Sequence, residues 1–397
     1  MPRNTIFSPE REPLRSRLDL QLRKDRTGGP FSFLSPTQAH YDHIPTAKTS
    51  RASEKSDDGE ARTDADQDTK AQRSNVGFKW SSRNNRKGRH ALTVRPADDK
   101  SSQVATPEPT NRPGHVLKTI WKMFVYYPVW DVSWWVAYVF TWGSIIWVIN
   151  AFFSVLPYTN PSTDFPHETL DGGGITAFIG ATVFELGSVL LMLEAVNENR
   201  TGCFGWAVEE AWDEHVEGNG WRVAPKYCTH HHPNKRNFVG GPNAPADGDA
   251  SKLQYDSAPR GARSWTWWPS WHDLKTHYIY DLGFLACCAQ MAGATVFWIS
   301  GFTALPGIYN NLAQPGVLNG VYWVPQIIGG SGFVISGTLF MIETQKHWWM
   351  PALNTLGWHI GFWNLIGGIG FTMCPIFGIG TAYWRGFEAS LSTFWGE

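Results

Sequence analysis

The stretch VSWWVAYVFTWGSIIWVINAFFSVL, residues 132–156, decides the fold of this chain. Its 25 residues include no Asp, Glu, Lys, Arg or His. A helix of roughly 20 apolar residues crosses the hydrocarbon core of a bilayer. Four further runs of this kind lie near 174–195, 280–303, 321–343 and 353–379. Helices are expected because an open sheet in lipid would leave backbone N–H and C=O groups unpaired. We therefore predict an all-α, polytopic bundle with five transmembrane spans.

The residues before the first span have the opposite character. Mean hydropathy over the whole chain is −0.28, an average of two unlike parts. Residues 1–115 are rich in Ser, Thr, Asp, Lys, Arg and Pro, and 23 of the 34 Lys and Arg residues precede residue 131. Such a segment buries too little apolar surface to fold, so we predict a disordered basic tail, followed by a transmembrane domain over 116–397. For this tail, attraction to anionic lipid is a simpler role than nucleic-acid binding.

Loop charges predict the orientation of the spans. The loops at 157–173 and 304–320 contain no Lys or Arg, whereas the long loop at 196–278 contains nine. Lys and Arg concentrate in cytoplasmic loops of membrane proteins. We therefore expect the N-terminal tail and the 196–278 loop to be cytoplasmic, and the C-terminus to lie on the other side.

The spans resemble one another, which predicts repeated helical hairpins. The second and fourth spans align without gaps at an offset of 149, and the odd-numbered spans align more loosely. The matched residues are Gly180 with Gly329, Phe184 with Phe333, Glu194 with Glu343, Trp147 with Phe297, and Gly143 with Gly293 and Gly368. The final Phe394-Trp395-Gly396 resembles Phe178-Ile179-Gly180 at the entry of the second span. We expect a truncated six-span architecture, the alternative being a five-span chain whose end lies at the membrane interface.

Three segments carry a resemblance to known proteins: WDVSWWVAYVFTWGSIIWVINAFFSVLP, YCTHHHPNK and LGWHIGFWNLIGGIGFTMCPIFG. They are similar to a family of filamentous-fungal multi-pass proteins known only as integral membrane proteins, over residues 115–397. The resemblance implies a fungal membrane protein of unassigned activity with a longer C-terminus. The hairpin pattern has a weaker resemblance to YrhK-like membrane domains.

One acidic side chain, Glu185, falls in the middle of the second span. It lies about 15 Å of helix rise from either end, where a carboxylate must be neutral, paired or in a wet cavity. We expect either an interhelical hydrogen bond from a protonated Glu185 or a proton or cation pathway. Polar residues at depth that could accompany it are Asn150, Gln290, His359 and Asn364. By contrast, Glu194 and Glu343 lie at span ends, where each can reach water or pair with a cation and fix the hairpin geometry.

The long loop holds a candidate metal site, Cys228 with His230, His231 and His232. Thiolate and imidazole suit zinc or copper, and Cys203 and His215 could complete a site by folding back. The alternative is a polar or pH-responsive loop without metal. Cys203 also follows the second span closely enough to suit palmitoylation.

These observations favour a non-enzymatic membrane protein. The sequence contains no nucleotide-binding loop, HExxH or GxSxG motif. We predict a structural, scaffolding or sensing protein whose partners are the bilayer and other membrane proteins, with no nucleic acid and no required cofactor. The alternative is a small ion or proton transporter or channel that uses Glu185. A third hypothesis is a metal-dependent membrane enzyme that uses the candidate metal site at Cys228 and the three histidines.

Overall fold

The computed structural model describes residues 2–8, 11–13, 20–43, 76–89, 91–94, 112–216, 265–312 and 314–396. Its N-terminal part contains a four-stranded antiparallel sheet in the order β1-β2-β3-β4. The strands are β1 Leu20–Leu22, β2 Gln38–His43, β3 Val76–Ser81 and β4 Ala91–Val94, and the short helix α1 Ser82–Arg86 links the last two. We call the described residues from 2 to 94 the cap.

The cap corrects the prediction of a disordered tail. Ala39 pairs with Trp80 across β2 and β3, and Tyr41 with Phe78. Ala39, Tyr41 and Trp80 are buried and form a small core against neighbouring apolar side chains. The prediction is therefore wrong for the segments that form the sheet and α1, because apolar residues at alternate positions give these short strands a buried face. Residues 44–75 and 95–111, also within the predicted tail, lie outside the described residues.

The described residues from 112 onward are mainly helical, and the five predicted spans are confirmed as helices long and apolar enough to cross a membrane. Surface helices flank them, and short turns at Pro306–Tyr309 and Pro315–Leu318 precede the fourth span. The helices are α2 Pro113–Val125, α3 Val132–Thr159, α4 Gly174–Val196, α5 Phe204–Val216, α6 Trp271–Thr276, α7 Leu282–Thr303, α8 Val324–Glu343, α9 Leu356–Gly378 and α10 Tyr383–Gly396. Single π-helical turns, Glu168–Gly173 and Asn319–Trp323, lead into α4 and α8.

Six helices pack in sequence around a ring: α3, α4, α7, α8, α9 and α10, with α10 returning to α3. Phe394 of α10 lies 5.1 Å from Phe152 of α3, between ring centroids. Phe178 of α4 makes the equivalent contact with Phe302 of α7, at 4.9 Å. The C-terminal end of α10 thus contacts its neighbour as the start of α4 does, although the duplication and the truncation stay predictions.

Close packing of glycines joins the two helices of a hairpin. A Cβ on Gly293 would lie 2.8 Å from the carbonyl oxygen of Gly329, and a Cβ on Gly367 would lie 2.8 Å from that of Gly396. Gly367 thus contacts Gly396 as Gly293 contacts Gly329, and the sequence match of Gly293 with Gly368, one residue further along, stays a prediction. Small residues let helix backbones approach and gain contacts that lipid does not provide.

Gly332→Ala is expected to destabilise the protein, because the new Cβ would lie 2.6 Å from the Cα of Gly293. Forcing the helices apart costs about 1–3 kcal/mol. Thermal unfolding of the purified protein in detergent should show the loss. Gly320→Ala is the control, since a Cβ there meets nothing within 4 Å. Equal melting of the two variants would contradict the packing described here.

Aromatic rings fill the centre of the bundle. Trp147, Phe297 and Phe371 come from the three odd-numbered spans and form a triangle with centroid distances of 5.6, 5.0 and 5.4 Å. Phe184 and Phe333 pack around them. We call these five residues the aromatic layer. The layer is an apolar core at the axis of the bundle.

Candidate functional site: ion pairs beneath the cap

The short helix α1 places cationic side chains against one end of the bundle. Its first turn is capped by Ser81, whose side chain accepts a hydrogen bond from the backbone N–H of Asn84 at 3.3 Å. Strands β3 and β4 hold both ends of the segment, so its side chains have a defined direction. The end of the bundle that α1 contacts, where α4 and α8 finish, is called the cap end.

Arg86 forms a two-pronged ion pair with Glu343 at the end of α8. Its Nη1 lies 2.6 Å from Oε1 and its Nη2 lies 2.8 Å from Oε2. Ser82 donates a third hydrogen bond to Oε1 at 2.6 Å. Arg86 and Glu343 are only 3% and 1% exposed. Burial by itself disfavours the charged guanidinium, but the adjacent carboxylate of Glu343 raises the pKa of Arg86 well above its ordinary value,.

A glycine on the neighbouring span makes room for this pair. A Cβ built on Gly283 would lie 1.5 Å from Arg86 Nη1 and 2.6 Å from Glu343 Oε1. Any side chain at that position would therefore occupy the space of the guanidinium. The sequence of α7 is compatible with a buried arginine from the cap only because it has glycine here.

Lys87 makes the matching pair with Glu194 at the end of α4. Its Nζ lies 2.9 and 3.3 Å from the two carboxylate oxygens, and Ser133 of α3 also donates to Oε1. Burial lowers the pKa of Lys87, and the negative charge of Glu194 opposes that change. Arg86 and Lys87, which are consecutive in the cap, thus pair with Glu343 and Glu194, the two acids that match in the alignment of the second and fourth spans.

Further polar residues surround the pairs. Asn85 donates to Glu198 Oε2 at 2.6 Å, and His277 lies 3.7 Å from the other carboxylate oxygen. Asp281 caps α7 by accepting from the backbone N–H of Phe284 at 2.7 Å. Burial, followed by the negative charge of Glu198, raises the pKa of Asp281 to about 6. Asp281 is buried like Arg86 and Glu343, whereas Glu198 and His277 are partly exposed at the edge of the network.

No family model, curated protein or solved structure matches this chain. The site is therefore interpreted from its own geometry, and the resemblance to fungal integral membrane proteins stays a prediction. Ion pairs of this burial are costly to break but supply no reactive group. The arrangement is suited to holding the cap on the bundle.

The raised pKa of Asp281 predicts a pH-dependent stability. An acid whose pKa is higher in the folded state stabilises the fold while it is protonated and destabilises it once it ionises. The rise from 3.8 to about 6 corresponds to about 3 kcal/mol,. Relative to Asp281→Asn, which keeps the helix cap, the parent should lose stability as the pH rises from about 4 to about 6. Parallel melting curves of parent and variant across this window would contradict the assignment.

The structure refines the expectation for Glu194 and Glu343. Both end their helices, as predicted, but neither reaches water, since each is buried against a cap cation. Sequence reasoning missed Arg86 and Lys87 because it treated the whole tail as disordered. One sequence signal could have indicated them: apolar residues alternate with other residues in the stretches that form β2 and β3, and the chain on either side of these stretches is polar.

Glu185 is not joined by its predicted companions. Its Oε1 accepts a hydrogen bond from Thr295 of α7 at 3.1 Å. Asn150 instead donates to the carbonyl of Gly173 at 2.6 Å, near the opposite end of the bundle from the cap. His359 and Asn364 bond to backbone carbonyls of their own region, and Gln290 is half-buried on α7. These residues form no polar cluster with Glu185 in the described part of the chain.

The predicted metal and lipidation sites have different outcomes. Cys228, His230, His231 and His232 lie outside the described residues. Among the residues that the structure describes, no group of three or more His, Cys, Asp and Glu side chains could hold a metal ion. Cys203 is 1% exposed and packs with Val132, Ala207 and Trp265. This burial argues against acylation of Cys203 in the folded protein, because acyl transfer needs an accessible thiol.

Proposed function

We propose that this chain is a non-enzymatic membrane scaffold, a helical bundle that holds a folded cap at one surface. The observation that carries the proposal is a pair of salt bridges to buried acids, Arg86 to Glu343 and Lys87 to Glu194. Glu343 binds Arg86 and Ser82 of the cap, and Glu194 binds Lys87 of the cap as well as Ser133 of α3. The proposal requires no cofactor and no nucleic acid.

Additional contacts support a cap held in one orientation. Ser35 donates its backbone N–H to the carbonyl of Tyr280 at 2.8 Å, and Gln38 donates to the carbonyl of Thr344 at 2.9 Å. The Arg3 guanidinium lies 3.6 Å above the ring of Tyr280. Because these contacts reach both the α6–α7 and the α8–α9 connections, the cap is attached at several points around the bundle end. By the distribution of Lys and Arg, we propose that this end is cytoplasmic.

The transport alternative has less support. A water-filled path along the axis would have to pass the aromatic layer, whose rings are in direct contact. Glu185 lies between α4 and α7 rather than at that layer. A transporter would show ion or proton flux in proteoliposomes that Glu185→Gln changes. We expect no flux for the parent protein, and a flux that depends on Glu185 would replace the scaffold proposal.

The scaffold proposal is tested by detaching the cap and restoring it. Full-length parent, Arg86→Glu, and the swapped pair Arg86→Glu with Glu343→Arg would be purified from native membranes in mild detergent. We expect the parent to retain stoichiometric partner proteins, the single variant to lose them, and the swap to regain them in part. A parent preparation free of partners would count against a scaffold.

A further inference from the structure

The seam between α4 and α7 contains a polar group whose bonding is incomplete. Glu185 is the central residue of α4, about 16 Å of helix rise from either end,. Its Oε2 is buried and has no hydrogen-bond partner among the described residues. Its Oε1 has only the hydroxyl of Thr295, which also lies 2.9 Å from the carbonyl of Met291. That hydroxyl has one proton, so it cannot donate to both acceptors.

Neither protonation state satisfies both oxygens of Glu185 among the described residues. If ionised, Glu185 has no cation near it in that part of the chain; if protonated on Oε1, it can donate to Thr295, which then donates to Met291, but Oε2 still has no partner. Polar groups without partners in hydrocarbon are costly, and ionisable residues at such depth pair with one another or mark function. The seam therefore leaves one carboxyl oxygen of Glu185 without a hydrogen-bond donor among the described residues.

The surface around Glu185 is open to a neighbouring helix. Thr295 is exposed at the seam, Leu186 is 57% exposed, and Val189 and Ile299 are exposed on either side. Ala292, one turn before Thr295, is also exposed and small. Short side chains beside a polar one let a second helix come close enough for a hydrogen bond.

We propose that the α4–α7 seam docks a transmembrane helix of another protein that carries a Lys or Arg at mid-membrane depth. Charge complementarity selects this occupant: a cation would pair with the carboxylate of Glu185, which has no cation near it among the described residues. The five spans of a second copy would not supply it, because none of them contains Lys or Arg. The inference names a partner for the proposed scaffold and in that sense rests on it.

The test uses full-length protein in proteoliposomes and a synthetic Leu/Ala helix of about 24 residues with one central Lys. Association is followed by energy transfer between labels on the probe and on the protein. We expect the probe to bind the parent at least about 5-fold more tightly than Glu185→Gln. An all-Leu/Ala probe should not distinguish the two proteins. Ile335→Gln, which adds an amide to an exposed position on α8, should bind the Lys probe as the parent does.

Two results would overturn the proposal. One is equal binding of the Lys probe to parent and Glu185→Gln, or no binding to either. The other is self-association of the parent that Glu185→Gln abolishes while the Lys probe stays unbound, which would assign the seam to a second copy. Protease protection of the cap in the same vesicles reports cap docking separately. If the Lys probe does not prefer the parent over Glu185→Gln but the cap is still protected from protease, the docking proposal is wrong and the scaffold proposal is unaffected.

Discussion

Arg86→Ala is expected to destabilise the protein by about 3–5 kcal/mol and to release the cap from the bundle. The reason is the charge left behind: Glu343 is 1% exposed and would lose both prongs of its ion pair. Melting of the full-length protein in detergent should fall, and proteinase K should cleave the cap faster. The cap and the bundle are predicted to lose their attachment before the bundle itself unfolds.

Two controls separate the lost ion pair from a general effect on the cap. Lys79→Ala removes an exposed cation from β3 and should leave melting and protection close to those of the parent,. Arg86→Met combined with Glu343→Met removes both charges and should recover most of the stability, because a buried pair and well-packed apolar groups are nearly equivalent. Full cap protection in Arg86→Ala alone would contradict the role assigned to this pair.

Phe371→Ala is expected to be the most damaging substitution inside the bundle, at about 3 kcal/mol. The ring contacts both Trp147 and Phe297 at the centre of the aromatic layer. Its removal leaves a cavity between the three odd-numbered transmembrane helices, α3, α7 and α9. We place the value at the low end for Phe→Ala in soluble cores, because side chains in lipid lose packing contacts but gain no exposure to water.

Trp363→Ala provides the matched control for this prediction. Trp363 lies on the same helix, α9, but is 66% exposed, so its removal opens no internal cavity. Its melting temperature should stay near that of the parent. If Phe371→Ala and Trp363→Ala melted alike, the aromatic layer would not be the core of the bundle.

The accuracy of sequence reasoning differed between regions for a physical reason. Hydropathy located the five spans because a lipid-facing helix needs an apolar composition along its own length. The same reasoning failed for the cap, whose core has only a few buried residues such as Tyr41 and Trp80 within a polar average. A short sheet of this kind depends on the surface against which it rests.

The candidate site shows the same division at the level of single residues. Matching the spans identified Glu194 and Glu343 as a related pair, and the local apolar context marked Glu185 as unusual. The partners of these acids could not be predicted, because Arg86 lies 257 positions from Glu343 and Lys87 lies 107 from Glu194. The contact of Gly367 with Gly396 likewise could not be predicted from the alignment of the spans.

The sequence by itself determined the environment of this protein: five helices suited to lipid, with Glu185 at mid-depth. These properties are local, since each span must be apolar whatever its neighbours are. Only the tertiary structure decided which charges meet, that Glu194 and Glu343 are buried, and that one oxygen of Glu185 has no partner among the described residues. Those facts depend on contacts between distant segments, and the energy of a buried charge is set by the groups that surround it rather than by its place in the chain.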